Sequence, residues 1–219
     1  MINQRRDDGL LRFELDEAAL RAIDKAMRKG GVRKDIRKVL KKAVNDTAKQ
    51  ARSKLADKTK ETYAVKKGPV NKAMDIKKAT TSNPTATINV TGQQLELKDY
   101  KTRSSPQEGV AAKVLLKGPM KAVQSTRGHK AKAFIVTFSS GHTTIAQRQE
   151  GQTYTKGAAK RKEEYGPHAD MTRLKKLLSN SIPKMVGDQE KVYGVVEPEI
   201  YSRLMDNIQK EIQKVLDRK

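Results

Sequence analysis

The stretch Asp75-Ile76-Lys77-Lys78-Ala79-Thr80-Thr81-Ser82-Asn83-Pro84-Thr85-Ala86-Thr87-Ile88-Asn89-Val90 is where the chain changes period. Upstream, apolar residues recur every three or four positions. Here Ala86, Ile88 and Val90 alternate with polar residues, the pattern of a strand with one face turned inward. Asp75 to Thr80 reads as its partner strand. Ser82-Asn83-Pro84 between them supplies turn chemistry, because the Asn side chain bonds its own backbone and Pro presets φ. The reading is a hairpin that follows a helix instead of alternating with helices, which points to an α+β layer architecture.

Working upstream, Val32, Ile36, Val39, Leu40, Ala43, Val44, Ala48, Ala51 and Leu55 form one stripe of a long helix. Lys67-Gly68-Pro69 breaks it, and Pro69 to Met74 is expected to restart a short helix. An earlier stripe, Leu15, Ala18, Ala19, Ala22, Ile23, Ala26 and Met27, predicts another helix, interrupted by Gly30-Gly31. Working downstream, Gln94 to Leu97, Val110 to Leu116, Ala131 to Phe138 and His142 to Arg148 read as strands. Lys98 to Gly109 reads as an exposed loop. Glu150 to Asp170 is polar, rich in Gly, Lys and Glu, and without period, so it is expected to be mobile. Glu197-Pro198 is expected to open a last helix in which Tyr201, Leu204, Met205, Ile208, Ile212, Val215 and Leu216 face the core. The expected whole is a single α+β domain over 1–219. It comprises an N-terminal helical region at 15–64, an antiparallel meander of about four to six strands at 74–148, a mobile polar loop at 149–172, and a C-terminal helix at 198–219 packed on the sheet.

Composition bounds the function. The 219 residues hold 47 Lys and Arg against 25 Asp and Glu, a formal charge of +22, which repels itself unless a polyanion or an acidic neighbour offsets it. Aromatic residues are 4% and Trp is absent, so the core rests on aliphatic side chains and gains from burial against partner subunits. Without cysteine there is no disulfide, zinc thiolate site or thiol nucleophile. The start has no signal-peptide core and no run of apolar residues is long enough to span a bilayer, so no membrane is expected.

Catalytic chemistry has little to stand on. His129, His142 and His168 fit no metal-ligand spacing, and a solvated or cross-strand imidazole is the ordinary reading of each. Gly151 to Gly157 lacks the order of a phosphate-binding loop. Glu163-Glu164 stand beside Arg161 and Lys162, which would leave them ionised. No enzyme activity and no cofactor are expected. The basic residues are better organised: positions 25 to 72 hold 17 Lys or Arg and four acids. On the long helix, Arg33, Lys34, Arg37, Lys38, Lys41, Lys42, Lys49 and Arg52 lie opposite or beside the apolar stripe. They are the candidate DNA- or partner-facing residues, read either as a solvated face or as phosphate contacts. Few aromatics for stacking, and no helix-turn-helix or finger motif, exclude base reading as their purpose.

Val65-Lys66-Lys67-Gly68-Pro69-Val70-Asn71-Lys72-Ala73-Met74, followed by Ile76 to Thr80 and Asn83 to Val90, resembles the helix-to-hairpin segment of the bacteriophage minor tail protein Z family. Ala133-Phe134-Ile135 with Gln147-Arg148 resembles its strand pair. Leu174 to Leu177 followed by Ser181-Ile182-Pro183-Lys184-Met185-Val186 resembles the segment before its last helix. The resemblance runs in order over roughly residues 30 to 190. It implies a non-enzymatic tail-completion or neck subunit of the virion, made in the host cytoplasm and assembled as a homo-oligomeric, hexameric ring at the head-proximal end of the tail. Its implied neighbours are the tail terminator, head connector or stopper proteins, the tail tube and genomic DNA in the channel. The reading from charge alone is a general, non-sequence-specific nucleic-acid-binding protein.

Overall fold

The computed structural model describes residues 10–13, 21, 25, 28, 36–107, 109–123, 132–154, 162–164, 166–168 and 170–217. The helix expected over Leu15 to Met27 lies outside them, apart from Arg21 and Lys25, which are helical. The architecture is α+β, with the two long helices on either side of the β-rich stretch in sequence and the strands in small antiparallel sheets. The chain divides into two compact units, one of residues 1–93 and 181–219, the other of residues 94–180.

The first unit is organised by α1 (Ile36–Thr62), the long helix expected from the stripe. Its underside is small and apolar: Leu40, Ala43, Val44 and Ala48 pack with Ala79, Ala86, Leu204 and Ile208 in one buried cluster. Alanines at this seam let backbones approach closely, so the burial per residue is small and fit matters more than bulk. Two buried threonines are self-satisfied, Thr47 Oγ1 donating to the Ala43 carbonyl at 2.8 Å and Thr59 Oγ1 to that of Leu55 at 2.7 Å. Beyond the break, α2 (Lys67–Lys72) is the expected short helix.

The hairpin forms as read. β2 (Met74–Lys77) pairs antiparallel with β3 (Ala86–Val90), Met74 opposite Val90 and Ile76 opposite Ile88. Past β2, Asn45 of α1 holds the backbone of Ala79 at both ends. Its amide donates to the Ala79 carbonyl at 3.1 Å, and its oxygen accepts from the Ala79 amide at 2.8 Å. β1 (Leu10–Phe13), a strand not expected from the sequence, pairs with the other edge of β3. The unit closes with α3 (Ile182–Val186), capped by Ser181, whose hydroxyl accepts from the Lys184 amide at 3.4 Å, and α4 (Tyr193–Leu216).

α4 begins five residues before the expected Pro198. Asp188 explains this: its carbonyl accepts from the amides of Val192 and Tyr193, and its carboxylate accepts from those of Glu190 and Lys191 and from the Tyr63 hydroxyl at 2.8 Å. The turn is thus nucleated upstream, and the proline is accommodated inside the helix. Leu204 and Ile208 are buried as expected, whereas Tyr201 and Met205 stay 42% and 39% exposed. The apolar stripe of α4 is wider than the surface its own unit offers.

The second unit is built mainly of small sheets. β4 (Gln94–Glu96) pairs with β11 (Leu178–Ser181); β5 (Lys101–Ser105), β6 (Gly109–Lys113) and β7 (Lys121–Ala122) form a three-stranded sheet; β8 (Phe134–Thr137), β9 (Thr143–Thr153) and β10 (Thr172–Lys176) form another, with β9 central. Two expectations are corrected here. Lys98 to Gly109 is not a loop, because β5 pairs with β6 along its whole length. The polar stretch starting at 149 is strand as far as Thr153, which pairs with Thr172 of β10 past an irregularity in the register, and 162–164 is helical. Eleven strands in four small sheets among the described residues thus stand where about four to six in one meander were expected.

The core of this unit is Leu97, Val110, Ala112, Ala133 and Ile145. Gly109 enters β6 at φ +76°, and a Cβ there would lie 2.7 Å from the Ala133 carbonyl oxygen. Only glycine combines that backbone angle with so close an approach.

Candidate basic interface

The candidate residues sit on α1 because its polar and apolar positions separate by helical phase. Buried Val39, Leu40, Ala43, Val44 and Thr47 define one side over the first turns, and Arg37, Lys38, Lys41, Lys42 and Lys49 emerge exposed on the other. Further along, burial moves to Ala51, Leu55, Ala56 and Thr59, so the stripe drifts by about 40° for each four-residue step. Arg52 is carried to its edge, half-buried, and donates from Nη2 to the Asn71 carbonyl at 2.9 Å, tying α1 to the end of α2.

The structure therefore sorts the eight. Arg33 and Lys34 lie outside the described residues. Arg52 is a structural brace. Lys42 pairs with Glu211 of α4 at 3.0 Å, and Glu211 also holds Lys214 at 2.6 Å. Burial would raise the Glu211 carboxyl, but the hydrogen bonds and charges of the two lysines reverse this and hold it below the usual carboxylate range. Lys49 pairs with Asp46 at 3.5 Å on the surface, and Lys38 is exposed but engaged within the chain. Arg37 and Lys41, one turn apart, stand exposed on the same face. Lys54 was not among the candidates; it reaches Glu199 at 2.8 Å, which Arg203 also holds at 2.9 Å. The basic face of α1 is thus in part the means by which α1 grips α4, something a positive count in the sequence does not reveal.

In the second unit Glu96 is a strong electrostatic node. It accepts from Lys176 Nζ at 2.7 Å, Thr144 Oγ1 at 2.7 Å and His142 Nε2 at 3.0 Å, with Lys98 at 3.4 Å. Burial pushes its pKa up, but the bonds from Lys176 and Thr144 and the charges of Lys176 and Lys98 outweigh it and bring it down to about 2. A carboxylate so firmly ionised serves as a clamp, not as a proton carrier. His142 has the surface contact expected of it, His168 is exposed, and His129 lies outside the described residues. Glu163 and Glu164 are exposed. Among the described residues no cluster of three or more His, Asp or Glu side chains is placed to hold a metal ion.

No helix among the described residues is long and apolar enough to cross a membrane. No curated protein and no solved structure matches the chain. A family model does: that of prophage minor tail protein Z covers residues 16–218, taking in α1, the hairpin, the sheets of the second unit and α4. A match across nearly all the elements described settles the lineage, and the chain belongs to the prophage minor tail protein Z family, a phage minor tail protein associated with the virion.

Proposed function

We propose that this minor tail protein is a tail-completion subunit that acts without catalysis, at the head-proximal end of the tail, where it joins tail to head as part of a ring. The observation that carries this reading is the family match over residues 16–218 in a chain of formal charge +22. A cationic subunit beside a DNA passage has its self-repulsion offset by phosphates, and copies arranged in a closed ring bury apolar surface that a thin core leaves outside. Tyr201, Met205 and Val195, exposed on α4, are surface of that kind. The neighbours are then further copies in a hexamer, the tail terminator, the connector or stopper proteins, the tail tube and the genome. Assembly begins in the host cytoplasm.

Electron micrographs of lysates from a phage lacking the protein test this. Separate filled heads and finished tails are expected, with joining restored by the protein supplied in trans. Normal, joined virions in its absence would sink the proposal. The charge also favours a second reading, a free-standing nucleic-acid binder, and sedimentation of the purified protein separates the two. A ring subunit self-associates at high concentration, whereas a free-standing binder stays monomeric and binds DNA tightly by itself.

A further inference from the structure

Two apolar features of the chain stand open to solvent, one convex and one concave. The convex one is on α4, where Val195, Pro198, Tyr201, Ser202, Met205 and Gln209 recur at three- and four-residue spacing and all are exposed. None of them is charged, in a chain whose residues are 33% charged. This stripe is separate from the buried row of Val196, Ile200, Leu204 and Ile208 that faces the helix's own unit. Further along α4 the same stripe reaches Ile212 and Leu216, and there it packs with Val39 of α1. A face that meets only water has no need to exclude charge; the centre of a protein contact does.

The concave feature belongs to the second unit. A groove of about 490 Å³ opens there, and Leu97, Leu115, Pro119, Lys121, Leu177 and Leu178 are among the residues that line it. Leu97 and Leu177 are part of that unit's core, so the groove leaves one side of the core open. Leu178 is 47% exposed, and Met120, next to the lining in sequence, is exposed too. The volume suits a few apolar side chains of a helix laid across it.

Charge matches the shapes. Residues 94–180 hold 17 Lys and Arg against 7 Asp and Glu, and Lys121 stands in the groove lining. α4 carries four acids and three bases, and its Asp206 is exposed at the flank of the stripe beside Met205. Two copies of a chain of formal charge +22 repel over most of their surfaces, and least where a mildly acidic helix approaches the basic unit of its neighbour.

We infer that the α4 stripe of one copy seats in the groove of the next, with Tyr201 and Met205 as its anchors. The inference rests on the reading that copies form a ring, and it names the two surfaces that meet there. Because they are different surfaces, the contact is head-to-tail, the type that closes into rings when the rotation permits. Sedimentation of the full-length protein over a series of concentrations tests it, with the variants Met205→Asp and Leu178→Asp alone and mixed in equal amounts. Both residues are exposed, so melting should be unchanged; where it falls, Val195→Asp and Ala122→Asp replace them on the same two surfaces.

The expected result is a self-associating wild type and two variants whose association is weaker by at least about tenfold. The mixture should form one-to-one pairs and nothing larger, because Met205→Asp keeps its groove and Leu178→Asp keeps its stripe. A mixture that stays as dissociated as its parts would overturn the inference, pointing to contact between like surfaces. Association of either variant at wild-type strength would overturn it while leaving the ring reading intact, and the surface concerned would then serve a different protein. A wild type that stays monomeric throughout would overturn both.

Discussion

The cationic residues of α1 and those of the β5–β6 pair look alike in a charge count and differ in how they are placed. On α1, Lys42 is spent on Glu211, Lys49 on Asp46, Lys54 on Glu199 and Arg52 on the Asn71 carbonyl. On the sheet, Lys101 faces Lys113. Positive charge in a basic protein thus falls into two stocks, one holding helices together and one set opposite its own kind. Only positions in three dimensions tell them apart.

The comparison can be broken first at its supports. Leu40→Asp should have the largest effect. It places an unpaired carboxylate under α1, where Leu40 is 2% exposed, and should cost more than about 4 kcal/mol. Loss of the helical circular dichroism transition is expected; a soluble variant with normal melting would mean that the apolar underside does not fix α1. Gly109→Ala attacks the sheet's support, forcing a Cβ against the Ala133 carbonyl at positive φ. It should destabilise by about 2 kcal/mol, read from the denaturant midpoint.

Acid offers a probe of the second unit through Glu96. The Glu96 carboxyl is held down to about 2, so its folded-state pKa lies below its ordinary value of 4.5. Its stabilisation is complete above the ordinary value and fades as pH falls from there towards 2. Glu96→Gln should lower stability at pH 7 by about 1–2 kcal/mol and remove that part of the acid dependence. Equal losses for wild type and variant between about pH 5 and about pH 3 would place the acid sensitivity elsewhere.

The smallest effects sharpen the contrast most. Lys42→Ala should cost about 0.5–1 kcal/mol, because a partly buried Glu211 loses one of two partners. Lys113→Gln should cost nothing, or gain a few tenths, by relieving its opposition to Lys101. A reversed order in thermal melts would erase the distinction between the two stocks.

The sequence made the helical frame and the hairpin legible because each has one buried side. The stripe from Ile36 to Leu55 and the alternation of Ala86, Ile88 and Val90 both report a boundary between core and water. β5 had no such mark. Exposed along nearly all its length, Lys-Thr-Arg-Ser-Ser carries no apolar alternation, and only its partner's register reveals it as a strand. The start of α4 was hidden for another reason: Asp188 nucleates the turn through its backbone and carboxylate, while the sequence points to Pro198 as the opener. The candidate site was half legible. Its residue types and helix were apparent, but the pairing of Lys42 and Lys54 with carboxylates over 140 residues away was not.

The first unit is split in sequence, its α1 and α4 halves joined by contacts such as Asn207 Nδ2 to Thr47 Oγ1 at 2.9 Å across 160 positions. On a ribosome adding roughly 5–20 residues per second, the part of the α1 seam that Leu204 and Ile208 cover waits several seconds while residues 94–180 are made. The inserted unit, continuous in sequence, is able to complete itself during that delay. Any product cut short before α4 would keep that part of the seam uncovered, an apolar strip that favours aggregation.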